Sequence, residues 1–122
     1  MYNGNMSDIE NLTKRIVEFR DERDWKQFHN TKDLALSLVL EAAEVLEHFQ
    51  WKNPEEIQKH LEINKHELAG ELADTLYWVL LMANDLNIDL LEAFDKKMTK
   101  NEAKYLVEKA KGNHKKYTEL SK

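Results

Sequence analysis

From Leu72 to Ala83 the chain reads LADTLYWVLLMA, and wound as a helix that stretch is apolar on nearly every face. Such a helix predicts a buried central element packed around by others. Strands are not available to surround it, because no segment alternates with period two for long enough. Three Gly and one Pro in 122 residues leave few places to turn. The fold class that follows is all-α, a helical bundle forming one domain over residues 1–122, with flexible ends at 1–6 and 112–122. One short bundle offers too little surface to cover this helix, so a second copy of the chain is expected against it.

The other elements follow from periodicity and caps. Helix one runs from about Ser7 to Asp24, with Ser7 as N-cap, Glu10 three residues on, and an apolar stripe of Ile9, Leu12, Ile16 and Phe19. DWKQFHNTKD interrupts it, with turn-formers at Asn30 and Thr31. Asp33 is the candidate cap of helix two, which ends near Lys52. Pro54 suits a first helical turn, so PEEIQKHL reads as a short connecting helix. Helix three spans about Lys65 to Leu86. Asp89 caps helix four, which runs from Leu90 to about Glu108.

Composition removes several functions. Without cysteine there is no disulfide, zinc–thiolate site or thiol nucleophile. No apolar run approaches the roughly 18 residues of a membrane span, so no membrane partner and a cytoplasmic location are expected. A net charge of −5, with nothing basic clustered before the C-terminal third, argues against nucleic acid as a partner.

What remains is a pattern of acids on apolar faces. In LVLEAAEVLEHFQW, Leu34, Leu38, Val45 and Phe49 share one sector of helix two; Glu41 projects into it and Glu44 flanks it. Glu47 points away, as ordinary surface. On helix three, Glu71 and Asp74 form the single polar stripe, with Trp78 one turn further on. A lone acid on such a face would line a wet groove or pair with Lys or Arg. Two i, i+3 pairs with few basic neighbours instead need a cation, or must protonate. Oxygen-only ligands favour Mg²⁺ first and Mn²⁺ second. A di-iron bundle would need Glu-x-x-His, and no histidine here has a Glu three residues before it.

Helix four carries KKMTKNEAKY, in which Lys97, Asn101, Lys104 and Tyr105 recur three to four apart. Lys100 and Lys109 read as solvated surface. Beside a metal cluster the stripe reads as a polyphosphate clamp. Trp25, Phe28, Trp51 and Trp78 taken singly are core aromatics, but Trp25 and His29 lie in a polar loop where a stacking platform is as credible. These parts together fit metal-assisted attack of water on a phosphoanhydride. The rival is a non-catalytic helical module that binds nucleotide or oligomerises, whose acids would tolerate amide replacement.

EAAE followed by ELAD resembles the ExxE…ExxD signature of the all-α NTP pyrophosphohydrolases, the MazG-like superfamily that includes dimeric dUTPases and dCTP pyrophosphatases. FRDERDWKQFH ahead and KMTKNEAKYLVEKAKG behind extend the resemblance over nearly the whole chain. It implies a four-helix MazG-like fold in an interlocked homodimer or tetramer. It also implies Mg²⁺-dependent hydrolysis of a nucleoside triphosphate to monophosphate and pyrophosphate, as nucleotide-pool housekeeping. By position, Glu41, Glu44, Glu71 and Asp74 would be the catalytic metal ligands, with Glu41 or Glu44 doubling as general base. Lys97, Asn101, Lys104 and Tyr105 would hold phosphates or sugar, and Trp25, His29 and Trp51 resemble base-pocket residues. Trp78 stands where Tyr is common, so the pocket floor would differ. Thr31 and Leu106 replace common prolines, the second extending helix four. Gly70 replaces an acid and would allow close helix approach.

Overall fold

The structure is a computed structural model that describes residues 6–120. Residues 1–5 of the expected flexible leader, and 121–122 of the tail, lie outside the described residues. The described residues are all helix, turn and loop, with no strand among them. They fall into two compact units, one ending at Ile88 and the other starting at Asp89.

The first unit holds α1 (Asp8–Glu22), a 3₁₀ turn (Lys26–Phe28), α2 (Thr31–Glu47) and α3 (Pro54–Asp85), with α3 packed against both α1 and α2. Ser7 caps α1, its hydroxyl oxygen accepting from the Glu10 amide at 3.1 Å. The cap of α2 is Asn30, whose side chain accepts from the Asp33 amide at 2.9 Å. Asp33 is therefore the third helical residue, with its carboxylate at the positive helix end, and not the cap expected. Helix α2 also stops at Glu47, earlier than expected, and a turn through Trp51 leads to Asn53, which forms a reciprocal capping box with Glu56 ahead of Pro54.

The expected connector and helix three form one helical run, bent where Asn64 leaves helical geometry at φ −113°, ψ 15°. A chain poor in glycine ends its helices otherwise: Asp24 (φ 54°) and Asn87 (φ 56°) take the left-handed position after α1 and α3. The core gathers Leu34 with Leu80, Leu81 and Ala83. The all-round burial expected of Leu72–Ala83 is found only in its C-terminal part, since Leu72 and Leu76 stay largely exposed. Only two other long helices belong to this unit, too few to surround it. Nor does Gly70 serve a close approach within the chain, because a Cβ there would meet nothing within 4 Å.

The second unit starts with α4 (Leu90–Lys104), capped by Asp89, which accepts from the Glu92 amide at 3.1 Å. The helix ends at Lys104 instead of reaching Glu108. Tyr105 turns out of it at φ −116°, ψ 68°, and a four-residue α5 (Val107–Ala110) follows. Leu106 thus does not extend it: the bend lets the ring of Tyr105 meet that of Tyr117, on the short α6 (Tyr117–Leu120), edge to face at 6.2 Å.

Candidate active site

Helix α2 turns Leu34, Leu38, Glu41 and Val45 inward, with Phe49 in the turn beyond it, so Glu41 is partly withdrawn from water while Glu44 and Glu47 are exposed. The Oε2 atom of Glu41 is buried and has no hydrogen-bond partner. Burial pushes its carboxyl above the usual carboxylate range. The charge of Glu44, a hydrogen bond with it and the charge of Asp74 push the same way, and a hydrogen bond from Trp78 offsets only part. Helices α2 and α3 thereby bring Glu41, Glu44 and Asp74 into one electrostatic group.

Among the described residues, no Lys or Arg forms an ion pair with Glu41, Glu44, Glu71 or Asp74. Pairing with Lys or Arg, the bland account of these acids, is therefore not what the fold does. An unpaired buried carboxylate oxygen among like charges is costly, and a hard cation would remove the cost. The oxygen-only donor set fits that cation. Among the described residues, no three His, Asp or Glu side chains already stand as a closed metal-binding set. Glu71 is engaged elsewhere: a carboxylate oxygen lies against Nε2 of the buried His48.

A cavity of about 600 Å³ opens beside the acids. Glu41 and Asp74 line it, together with Leu12, Ile16, Phe19, Trp25, Tyr77 and Trp78. Edge-to-face contacts run continuously through its rings. Trp25 meets Phe19 at 5.7 Å, Phe19 meets Tyr77 at 6.3 Å, Tyr77 meets Trp78 at 4.9 Å, and Trp78 meets His29, which does not itself line the cavity, at 5.7 Å. Burial, then the charge of Arg20, lowers the His29 pKa against opposing pulls from Asp85 and Asp33. Its Nδ1 is buried without a partner. The site is thus apolar and aromatic on one side and anionic on the other, a form suited to a flat ring bearing a metal-bound polyanion.

Trp51 is not part of this cavity. It is 92% exposed and holds a left-handed φ of 68°, uncommon for a residue with a side chain. Phe28 is exposed as well, so neither is the core aromatic that the sequence suggests. In the second unit, Lys97 and Lys104 are exposed and Asn101 is partly buried. The Lys104 ammonium sits over the Tyr117 ring, 4.7 Å from its centroid.

Sequence reasoning assigned nothing to Tyr77, Arg15, His48 or His60, and took Phe19 for plain core. Arg15 lines the same cavity as Glu41 and Asp74. Its place on helix one, one residue from Ile16 of the apolar stripe, was the one available signal. For His48 and His60 there was none, because they meet between helices.

The MazG-like family model matches residues 36–120, which include both acid pairs and the lysine stripe. The chain belongs to the MazG-like family. Within it, the chain is similar to dCTP pyrophosphatase 1 of Bos taurus, 38% identical over 114 residues, covering 92% of this chain and 68% of that protein. Human dCTP pyrophosphatase 1 is 37% identical, covering 92% and 67%. The crystal structure of a pyrophosphatase from Archaeoglobus fulgidus superposes with a TM-score of 0.77 at 38% identity, over 87% of this MazG-like chain and 99% of that one.

Proposed function

We propose that this MazG-like enzyme hydrolyses deoxynucleoside triphosphates, dCTP foremost, at the α–β phosphoanhydride, with Mg²⁺ held by Glu41, Glu44, Glu71 and Asp74. The broader activity follows from its relatives: the chain is a nucleoside triphosphate pyrophosphohydrolase of nucleotide-pool cleanup. The choice of dCTP rests on the mammalian relatives, which carry that substrate in their names. The observation that carries the site is the buried, partnerless Oε2 of Glu41 beside Glu44 and Asp74, opening on an aromatic cavity.

When bound, the cation supplies neutralisation of phosphate charge and a more acidic water. The chain's own residues supply the rest. Trp25, Trp78 and His29 hold the base, with Trp78 as the floor and Phe19 and Tyr77 fixing the rings around it. Glu41 or Glu44 takes the proton of the attacking water. The apolar wall excludes competing water. The resemblance of KMTKNEAKY to its family's motif assigns Lys97, Asn101, Lys104 and Tyr105 to the distal phosphates, the lysines as point charges on the leaving pyrophosphate. Manganese is expected to substitute for magnesium, since both accept octahedral oxygen ligands.

The working form is a homodimer, or a pair of dimers. Leu36, Val39, Leu40 and Leu46 on α2 and Leu72 on α3 are each more than half exposed, a load of apolar surface that a monomer rarely carries. Trp51, held outside its own chain's cavity, is assigned to the second copy's side of the site. Among the described residues no helix is long and apolar enough to cross a membrane. The proposed place of action is the cytoplasm, where nucleotide pools are met.

A panel of canonical and damaged deoxynucleoside triphosphates, incubated with and without Mg²⁺ and resolved by chromatography, tests the function. Monophosphate and pyrophosphate, metal-dependent and fastest from dCTP, are expected. Nucleoside diphosphate as product would contradict the assignment.

A further inference from the structure

Four polar side chains form a string that runs away from the proposed metal site. Asn64 Nδ2 lies 3.2 Å from His60 Nδ1, His60 Nε2 lies 2.6 Å from His48 Nδ1, and His48 Nε2 meets the Glu71 carboxylate. The string joins the end of α2 to both segments of α3. His60 precedes the kink at Asn64 and Glu71 follows it, so the string crosses the bend in α3. The two imidazoles also pack edge to face, with centroids at 4.9 Å.

Its two ends give it a direction. An ionised carboxylate only accepts, so His48 Nε2 must carry a hydrogen. An amide nitrogen only donates, so His60 Nδ1 must be bare, which puts the neutral ring's hydrogen on Nε2. That hydrogen points at His48 Nδ1, which must then also be bare. The Asn64–His60 and His60–His48 contacts are both satisfied with the two rings in the Nε2–H form. With Asn64 presenting Nδ2, any other arrangement of the two rings sets two hydrogens or two lone pairs face to face. Burial, then the charge of Lys52, lowers the His60 pKa against Glu67 and Glu71.

We infer that His48 is a positioning residue for Glu71, and that His60 and Asn64 hold His48 in the ring form this requires. The inference rests on the reading of Glu71 as a metal ligand. A carboxylate on a long side chain loses rotamer freedom when it takes up a cation. One already set against a buried imidazole at one oxygen has lost part of that freedom before the cation arrives, and outer partners of this kind commonly tune metal affinity tenfold or more. The kink belongs to the same device, since Asn64, the residue that leaves helical geometry, anchors the far end.

Titration of the full-length protein with Mn²⁺ alone, read by the electron paramagnetic resonance of free Mn²⁺, tests it in His48→Phe, His48→Gln and Glu71→Gln. We expect His48→Phe to weaken Mn²⁺ binding about tenfold, with the metal-free melting temperature little changed and kcat recovered at saturating metal. His48→Gln, whose amide can still donate to Glu71, should restore most of the affinity. Wild-type affinity in His48→Phe while Glu71→Gln loses the metal would overturn the positioning role alone. Wild-type affinity in Glu71→Gln would overturn the ligand reading and this inference with it. If His48→Phe does not fold, long-range ¹H–¹⁵N spectra of the wild-type histidines decide: two Nε2–H rings support the string, and an Nδ1–H ring at His48 refutes it.

Discussion

Arg20 Nη1 donates a 2.6 Å hydrogen bond to Asp85 Oδ2, from a guanidinium that is almost wholly buried. The pair ties α1 to the last turn of α3, and the Arg20 carbonyl accepts from the Trp25 amide at 3.2 Å. A buried ion pair therefore anchors the loop that presents Trp25 to the cavity. Asp85→Ala removes its hydrogen-bonded partner and leaves only the longer contact of Arg20 Nε with Asp21, at 3.6 Å, so it should cost about 3 kcal/mol, measured by chemical denaturation.

The same pair sets an acid limit. Burial alone would raise the Asp85 carboxyl, but the hydrogen bonds from Arg20 and Asn84, with the charges of Arg20 and Lys26, outweigh it and hold the group below its usual range. A carboxyl lowered in the folded state stabilises above its unfolded value of about 3.9. That stability is lost as pH falls through the lower folded value. Denaturation series from pH 6 down to pH 2 should show this loss in the wild type. In Asp85→Asn it should be smaller.

For the acids, Glu41→Gln or Asp74→Asn should lower kcat/KM by at least about 100-fold, a loss on the scale of a single electrostatic contributor. Removing a like charge from the Glu41 group should leave the metal-free protein as stable or more so. Assay and melting curves on the same preparations check both halves. Unchanged turnover would remove the metal site, and a collapse of helicity would make these acids structural.

Much of this was legible in the chain. Periodicity placed the long helices because α1, α2 and α3 bury stripes through local spacing, as Leu34, Leu38 and Val45 show. Ser7 and Asp89 were readable as caps for the same reason. Asn30 was not, because Asp33 three residues later offers the same chemistry and only backbone geometry separates them. The acids were legible as anomalies on apolar faces. The His48–His60 contact was not, since it forms between helices brought together by tertiary packing. The burial of Leu72 and Leu76 was over-read, because an apolar helix does not reveal whether its own chain or a second copy covers it.

Trp25 offers a test of the cavity. Trp25→Ala should raise KM for dCTP about tenfold, the loss of one base–aromatic stack. Hydrolysis of a triphosphate ester without a base should change little, because the acids are untouched. A lowered melting temperature with unchanged selectivity among nucleotides would make Trp25 packing only.

The exposed leucines predict assembly. Light scattering should return twice or four times the chain mass, and Val39→Glu or Leu40→Lys should shift it toward the monomer with loss of activity. A wild-type monomer with full turnover would mean that each chain's site is complete alone.

The central claim concerns which phosphorus water attacks. On the proposed assignment of Lys97 and its stripe to the distal phosphates, pyrophosphate would be the leaving group and attack would fall at the α position, so Lys97→Ala should raise KM and lower kcat. Hydrolysis of dCTP in ¹⁸O-labelled water, with products read by mass spectrometry, tests this most directly. The account predicts label in dCMP and none in pyrophosphate or orthophosphate. Label in orthophosphate with accumulating dCDP, or label in pyrophosphate, would contradict it.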